Sequence, residues 1–414
     1  MDFFQCIPLR EAQEIIAKEL TGAIVAFEQV SLVDALGRVA ATDIAAIENL
    51  PPFSRSTVDG FAVRSADTFG ASEAAPSLFT IVGEVLMGQP TDIELRPGQA
   101  ATIPTGGMLP AGADAVVMLE YAEQPDPHSL LISKMIAPGE NVVVKGEDIA
   151  YGSIILRRGQ KITPAHIGVL AASGVTYVPV RQPVKVAIIS TGDELVDIDV
   201  PVKAGQIRDV NSYALGALFT GWGCQVTRMG IVRDSFEQFY RALAEAAVTH
   251  HMVVISGGSS VGARDFTVKA IDGLGAPGVL FHGIAIKPGK PTIFGMVEGT
   301  PIFGLPGHPV AAMTVSDQLV KPAVRLLSGQ KNTFQRTRVT ARLNRNVASS
   351  PGRDDFIGVR LIKEGANNKA APIFGKSGLI RLMAESDGIM HIPADKSGVY
   401  EGEAVEVLLL YDAD

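Results

Sequence analysis

The chain has 414 residues, too many for one hydrophobic core, and the length alone suggests about two to four domains. Apolar residues make up 47% and charged ones 19%, so each domain can bury a core, yet no stretch approaches the roughly 18 unbroken apolar residues of a membrane span. The net charge of −8 argues against a nucleic-acid partner, because phosphate backbones need a basic surface. Two cysteines, Cys6 and Cys224, with no C-x-x-C, can supply neither a disulfide framework nor a thiolate zinc site. The start M-D-F-F-Q-C-I-P-L-R-E-A has an acid where a signal peptide carries basic residues and lacks its apolar run, so a cytoplasmic location is expected.

Residues 8–20 read as a helix with Ile15, Ile16 and Leu20 on one face. Pro51 and Pro52 break the chain before the polar, Gly-ending loop S-R-S-T-V-D-G. Over 77–145 short alternating runs are separated by Pro and Gly turns, which predicts a small β domain. T-P-A-H-I-G-V-L-A-A-S-G (163–174) predicts a helix capped by Thr163, with Pro164 in its first turn and Gly174 at its end. This helix is expected to pack with the N-terminal one, the β domain being an insertion between them. From Val184 onward near-continuous apolar strands (V-K-V-A-I-I-S, M-V-V-I-S) alternate with helices that open near Asn211, Asp234 and Asp265 and at Pro309. That alternation predicts a doubly wound, mostly parallel α/β sheet domain. From about Phe334 to the end the texture is β again.

In an open α/β sheet ligands sit beyond the carboxyl ends of the strands. The residues in those places here are Thr191, Gly192 and Glu194; Asp234; the loop Ser256, Gly257, Gly258, Ser259, Ser260, Val261, Gly262, followed by Asp265; Lys287 and Lys290; and Pro306, Gly307 and His308. The Gly-rich loop lets backbone N–H groups approach a phosphate at a helix start, although taken alone it is equally a plain tight turn. It lacks the G-K-[ST] of a Walker A loop and is not G-x-G-x-x-G. Lys287 and Lys290 flank a Pro-Gly turn and can point at one anion. Glu194, Asp234 and Asp265 would repel one another unless a Mg²⁺ lay between them and a phosphate, or they cap helices instead. Elsewhere, Asp59 is a turn acid or a site residue, and Arg353 an anion clamp or a β-turn charge. His308 alone reads more readily as structural than as a metal ligand.

Together these segments resemble the molybdopterin molybdenumtransferase family, which also includes the cofactor-synthesis domain of gephyrin. The matching pieces are P-P-F-S-R-S-T-V-D-G-F-A-V-R (51–64), I-P-T-G-G-M-L-P-A-G-A-D-A-V-V (103–117), G-E-D-I (146–149), S-T-G-D-E-L (190–195), S-G-G-S-S-V-G-A-R-D-F (256–266), I-K-P-G-K-P (286–291), G-L-P-G-H-P-V (304–310) and P-G-R (351–353). The resemblance implies a multidomain α/β plus β architecture. Residues 1–48 with 143–181 would form a split linker and dimerisation domain around an inserted β domain (49–142). Residues 182–330 would be the α/β molybdopterin-binding domain and 331–414 a C-terminal β barrel.

The reaction it implies inserts molybdate into adenylylated molybdopterin, with release of AMP, in a homodimer that uses Mg²⁺. Molybdopterin adenylyltransferase and acceptor molybdoenzymes would be its protein partners. By position, Asp59, Glu194, Asp234, Asp265, Lys287 and Lys290 would be catalytic, with Glu194, Asp234 and Asp265 on the metal. Thr105, Asp148, Thr191, Gly192, Ser256, Gly257, Gly258, Ser260, Gly262, Pro306, Gly307, His308, Arg353 and Ser377 would line the substrate site. His308 stands where the family often has Asn, and Ser259 where it often has Val. These departures keep a tungstate-handling paralogue in view, beside two further readings: the adenylyltransferase that shares the sheet domain, and a non-catalytic scaffold.

Overall fold

The computed structural model describes residues 6–233, 235–257, 263–331, 337–364 and 367–410, with the side chains of 263–265 and 367 left aside. Helix α1 (Leu9–Glu19) buries Leu9, Ala12 and Ile16. Its partners are not those expected. Instead of packing on the 163–174 helix, it shares a core with Leu319, Val320, Val324 and Leu327, about 300 residues further along. Gln13 donates to the carbonyl of Gln318 at 3.2 Å, and Ile7 bridges to Ile284. The amphipathic stripe was legible, but a stripe specifies burial and not the partner.

Segments before and after the β insertion pair with each other. Phe27–Ser31 runs antiparallel to Tyr177–Arg181, and Ile44–Ala45 to Ile154–Leu156. Helix α2 (Pro164–Ala172) starts as the sequence predicts: the Thr163 side chain accepts from the His166 N–H, Pro164 takes the first turn, and Gly174 follows at φ 72°. Leu170 anchors this small core with Leu156, Ile162, Val178 and Val180. Between the paired segments lies a six-stranded sheet in the order 115–118, 60–63, 99–103, 77–84, 129–132, 122–126. Phe61, Val63 and Phe79 belong to one of its cores, and Ala62, Val85 and Ile103 to a second. Alternating strand residues fill opposite faces, as period two requires.

The third part is built from β1 (Lys185–Thr191), α3 (Asn211–Gly221), β2 (Gln225–Val232), α4 (Phe236–Thr249), β3 (Met252–Gly257), α5 (Ala263–Leu274), β4 (Pro277–His282), the short β5 (Ile286–Lys287), β6 (Ile293–Val297), β7 (Thr300–Leu305), α6 (Pro309–Val315) and α7 (Lys321–Leu327). The sheet order is β2-β1-β3-β7-β6-β4. β2, β1, β3 and β7 are parallel, whereas β6 is antiparallel to both of its neighbours. β1 and β3 are buried almost throughout, as helices on both faces demand.

The last part holds β8 (Arg338–Leu343), β9 (Asp354–Glu364), β10 (Asn367–Pro372), β11 (Gly388–Ile392) and β12 (Ala404–Leu409). Pairing runs β9-β10-β8-β12-β11 and closes through β9–β11 into a five-stranded barrel around Val359, Ala370, Met390 and Val407. β5 adds to the barrel in parallel with β9, so a strand of the sheet domain's loop is hydrogen-bonded into the next domain.

Candidate active site at the sheet rim

Beneath the carboxyl ends of β1, β3 and β7 lies a buried polar network. Ser190 donates to Asp209 Oδ2 at 2.7 Å, and Asp209 Oδ1 accepts from the Ser212 N–H at 3.1 Å. Asn211 Nδ2 donates to Ser256 Oγ at 2.8 Å and to the carbonyl of Gly307 at 2.9 Å. Buried polar groups need such partners, and these ones tie the rim loops to the start of α3. The expected binding residue Ser256 is therefore held under the rim, with its hydroxyl engaged by Asn211.

Above this network opens a cleft of about 1290 Å³. From the β1 and β3 ends it is lined by Thr191, Gly192, Glu194 and Gly257. From β5 and the turn after it come Lys287 and Lys290, and from the turn after β7 come Pro306, Gly307 and His308. The barrel supplies Arg353 and Ser377 to the same cleft. Ser377 Oγ lies 2.8 Å from His308 Nδ1, and the Val310 N–H donates to the Ser377 carbonyl at 3.1 Å, so the barrel is fastened to the start of α6. Asp234, Gly258, Ser260 and Gly262 lie outside the described residues, as does the side chain of Asp265.

Two features of the cleft are not singled out by the sequence. Cys6 reaches its lining because residue 7 bridges to 284. Asp355 is buried, 2% exposed, with Arg353 Nε at 3.0 Å from Oδ1 and Lys287 Nζ at 3.8 Å from Oδ2. The run R-D-D gives no reason to separate Asp355 from Asp354; only the register Lys287↔Asp355 in the β5–β9 pair does so.

Asp59, Thr105 and Asp148 are not among the residues lining this cleft. Asp59 and Thr105 meet each other on the inserted domain: the Thr105 N–H donates to Asp59 Oδ1 at 2.7 Å. That backbone bond, aided by the Thr105 hydroxyl, holds the exposed Asp59 carboxyl below its ordinary range. Asp148 is exposed, with its N–H on the carbonyl of Leu50. Among the described residues no group of three or more His, Cys, Asp or Glu side chains could hold a metal ion. Glu194 is the one expected magnesium ligand whose side chain is described, and by itself it does not make a Mg²⁺ site. No helix among these residues is long and apolar enough to cross a membrane.

Sheet order, rim loops and appended barrel define a multidomain protein built on a molybdopterin-binding fold. Residues 187–326 match the model described as a probable molybdopterin binding domain. Residues 7–174 match the MoeA N-terminal region (domains I and II), and 340–410 the MoeA C-terminal region (domain IV). The molybdopterin molybdenumtransferase of Haemophilus influenzae is 33% identical, over 92% of this chain and 93% of that protein. A putative molybdopterin biosynthesis protein of Methanocaldococcus jannaschii is 35% identical over 98% of each chain. Among solved structures, a molybdopterin biosynthesis MoeA protein from Pyrococcus horikoshii superposes with a TM-score of 0.83 at 38% identity, covering 99% of this chain and all of that one. The chain belongs to the MoeA family of molybdopterin molybdenumtransferases.

Proposed function

We propose that this protein is a cytoplasmic, homodimeric molybdopterin molybdenumtransferase, which takes molybdate and adenylyl-molybdopterin, cleaves the adenylate anhydride, releases AMP and leaves molybdenum on the dithiolene. The observation that carries the reading is the convergence of Lys287 and Lys290 from the sheet domain with Arg353 and Ser377 from the barrel on one cleft. An acidic protein handles anionic substrates by concentrating its few cations where they are needed. Thr191, Gly192 and Gly257 offer backbone and hydroxyl groups to the pterin phosphate at the strand ends. Mg²⁺ belongs to the proposal as a counter-charge for the phosphates, held by Glu194 with Asp234 and Asp265.

Asp59, Thr105 and Asp148 complete the site if the inserted domain of a second subunit closes over the cleft. Exposed Phe27, Val33, Leu36 and Ile47 on the linker segments supply apolar surface for a dimer. The test mixes two inactive variants, Asp59→Asn and Glu194→Gln. Random exchange makes half of the dimers mixed, and each mixed dimer holds one intact composite site of two, so about a quarter of wild-type activity returns. No recovery, with exchange verified by a tagged subunit, refutes the shared site. Running the wild type with molybdate and with tungstate, followed by metal analysis of the pterin, separates the molybdenum enzyme from a tungsten paralogue. Formation of adenylyl-molybdopterin from ATP would mark an adenylyltransferase. Transient complexes with the adenylyltransferase and with acceptor molybdoenzymes follow from the same reading.

A further inference from the structure

The cations at the barrel side of the cleft share one buried carboxylate. Asp355 has 2% of its side chain exposed, whereas Lys287 has 60% and Arg353 38%. Negative charge is thus kept behind and positive charge in front, facing the cleft. The placement is set by backbone: β5 and β9 pair in parallel with Lys287 opposite Asp355, and the Asp354 N–H donates to the carbonyl of Ala285 at 2.9 Å. Asp355 Oδ1 takes the Nε–H of Arg353, one of five guanidinium donors, so the others remain for a ligand. Its Oδ2 stands 3.8 Å from the Lys287 ammonium, close enough to orient the charge without consuming its donors.

We propose that Asp355 is a positioning residue that holds Arg353 and Lys287 together as a seat for the tetrahedral oxyanion substrate, and that it touches neither the pterin nor the adenylate. Two cations from different domains would repel each other if brought to one dianion without a carboxylate between them. A neutral residue in that place leaves both side chains free to swing into solvent, and the fixed geometry that favours a small tetrahedral dianion is lost. The inference rests on the function proposed above, and its test separates the two.

Asp355→Asn keeps the shape and removes the charge. With the wild type first shown to convert adenylyl-molybdopterin, the molybdate concentration for half-maximal rate is expected to rise tenfold or more in the variant, with kcat at saturating molybdate within about threefold. Affinity for adenylyl-molybdopterin, measured without molybdate, stays within twofold. Calorimetric titration with molybdate alone should show the same tenfold loss without any turnover. In an Arg353→Ala background the Asp355→Asn change should cost at least threefold less than in the wild type, because one of the two groups it positions, the one bonded directly to it, is gone. Wild-type molybdate dependence in Asp355→Asn overturns the proposal. So does an equal loss of pterin and molybdate affinity, which would make Asp355 merely a residue of the domain joint, and so does full additivity with Arg353→Ala. A wild type that binds molybdate but performs no transfer sinks the transferase reading and leaves the oxyanion seat to be judged by calorimetry alone.

Discussion

Gly257→Ala is the most exacting single-atom perturbation of the rim. Gly257 ends β3 opposite Thr191 in the parallel pair, and its φ is +101°. A Cβ added there would lie 2.2 Å from the Thr191 carbonyl oxygen, a backbone atom that cannot rotate away. Restoring ordinary contact requires the two strand ends to part by about 1 Å, an overpacking cost of about 1–3 kcal/mol. The positive φ adds about 1–2 kcal/mol for an L-residue. The sum, about 2–5 kcal/mol, should lower the melting temperature of the sheet domain by about 4–20 °C, at 2–4 °C per kcal/mol for a domain of this size. Because Thr191 and Gly257 both line the cleft, affinity for adenylyl-molybdopterin should fall in parallel. Differential scanning calorimetry reads the first effect and equilibrium binding the second. A variant that melts and binds like the wild type would show that the rim is not the close-packed backbone seat inferred here.

Other outcomes follow from individual contacts. Lys287→Ala and Lys290→Ala should each weaken adenylyl-molybdopterin binding by about 10–100-fold, since both side chains are exposed at the cleft and each removes a charge-assisted hydrogen bond of about 1.5–3 kcal/mol; unchanged affinity in both refutes the anion site. Burial pushes the Cys224 thiol up to about 12, so at pH 8 only about one part in ten thousand is thiolate. A disulfide reagent should therefore find at most one thiol in the native protein and two in denaturant; two fast thiols would contradict the packing. The His251 ring is held below its ordinary range, chiefly by burial and then by Lys185 and His250, and its Nδ1 accepts from the Lys185 N–H at 3.0 Å. An unfolded histidine binds a proton more readily than this one does. Stability from His251 is therefore present above the ordinary histidine value near 6.5 and is lost as pH falls from there through the depressed native value. His251→Asn should flatten that limb of the denaturation-midpoint profile, and an unaltered profile would exclude the residue.

The sequence carried the sheet and the 163–174 helix because their signals are local. Lys185–Thr191 and Met252–Gly257 are apolar runs of strand length, and Thr163, Pro164 and Gly174 punctuate the helix. The partner of α1 and the graft of β5 onto the barrel were illegible, because each depends on contacts between segments far apart in the chain. The rim residues could be read one by one from strand ends, whereas Asp355 became visible only through a register. Asp59 and Thr105 were read as site residues from the family pattern. The geometry of one chain joins them to each other and keeps both out of the cleft lining.

The docking of α1 on the far end of the sheet domain has a consequence for synthesis. Its partners Leu319, Val320 and Val324 leave the ribosome about 300 residues after it does. At about 5–20 residues per second the helix waits roughly 15–60 s before its apolar face can be covered. During that interval Leu9, Ile16 and Leu20 form an unburied stripe on the nascent chain, a stretch for a chaperone to shield.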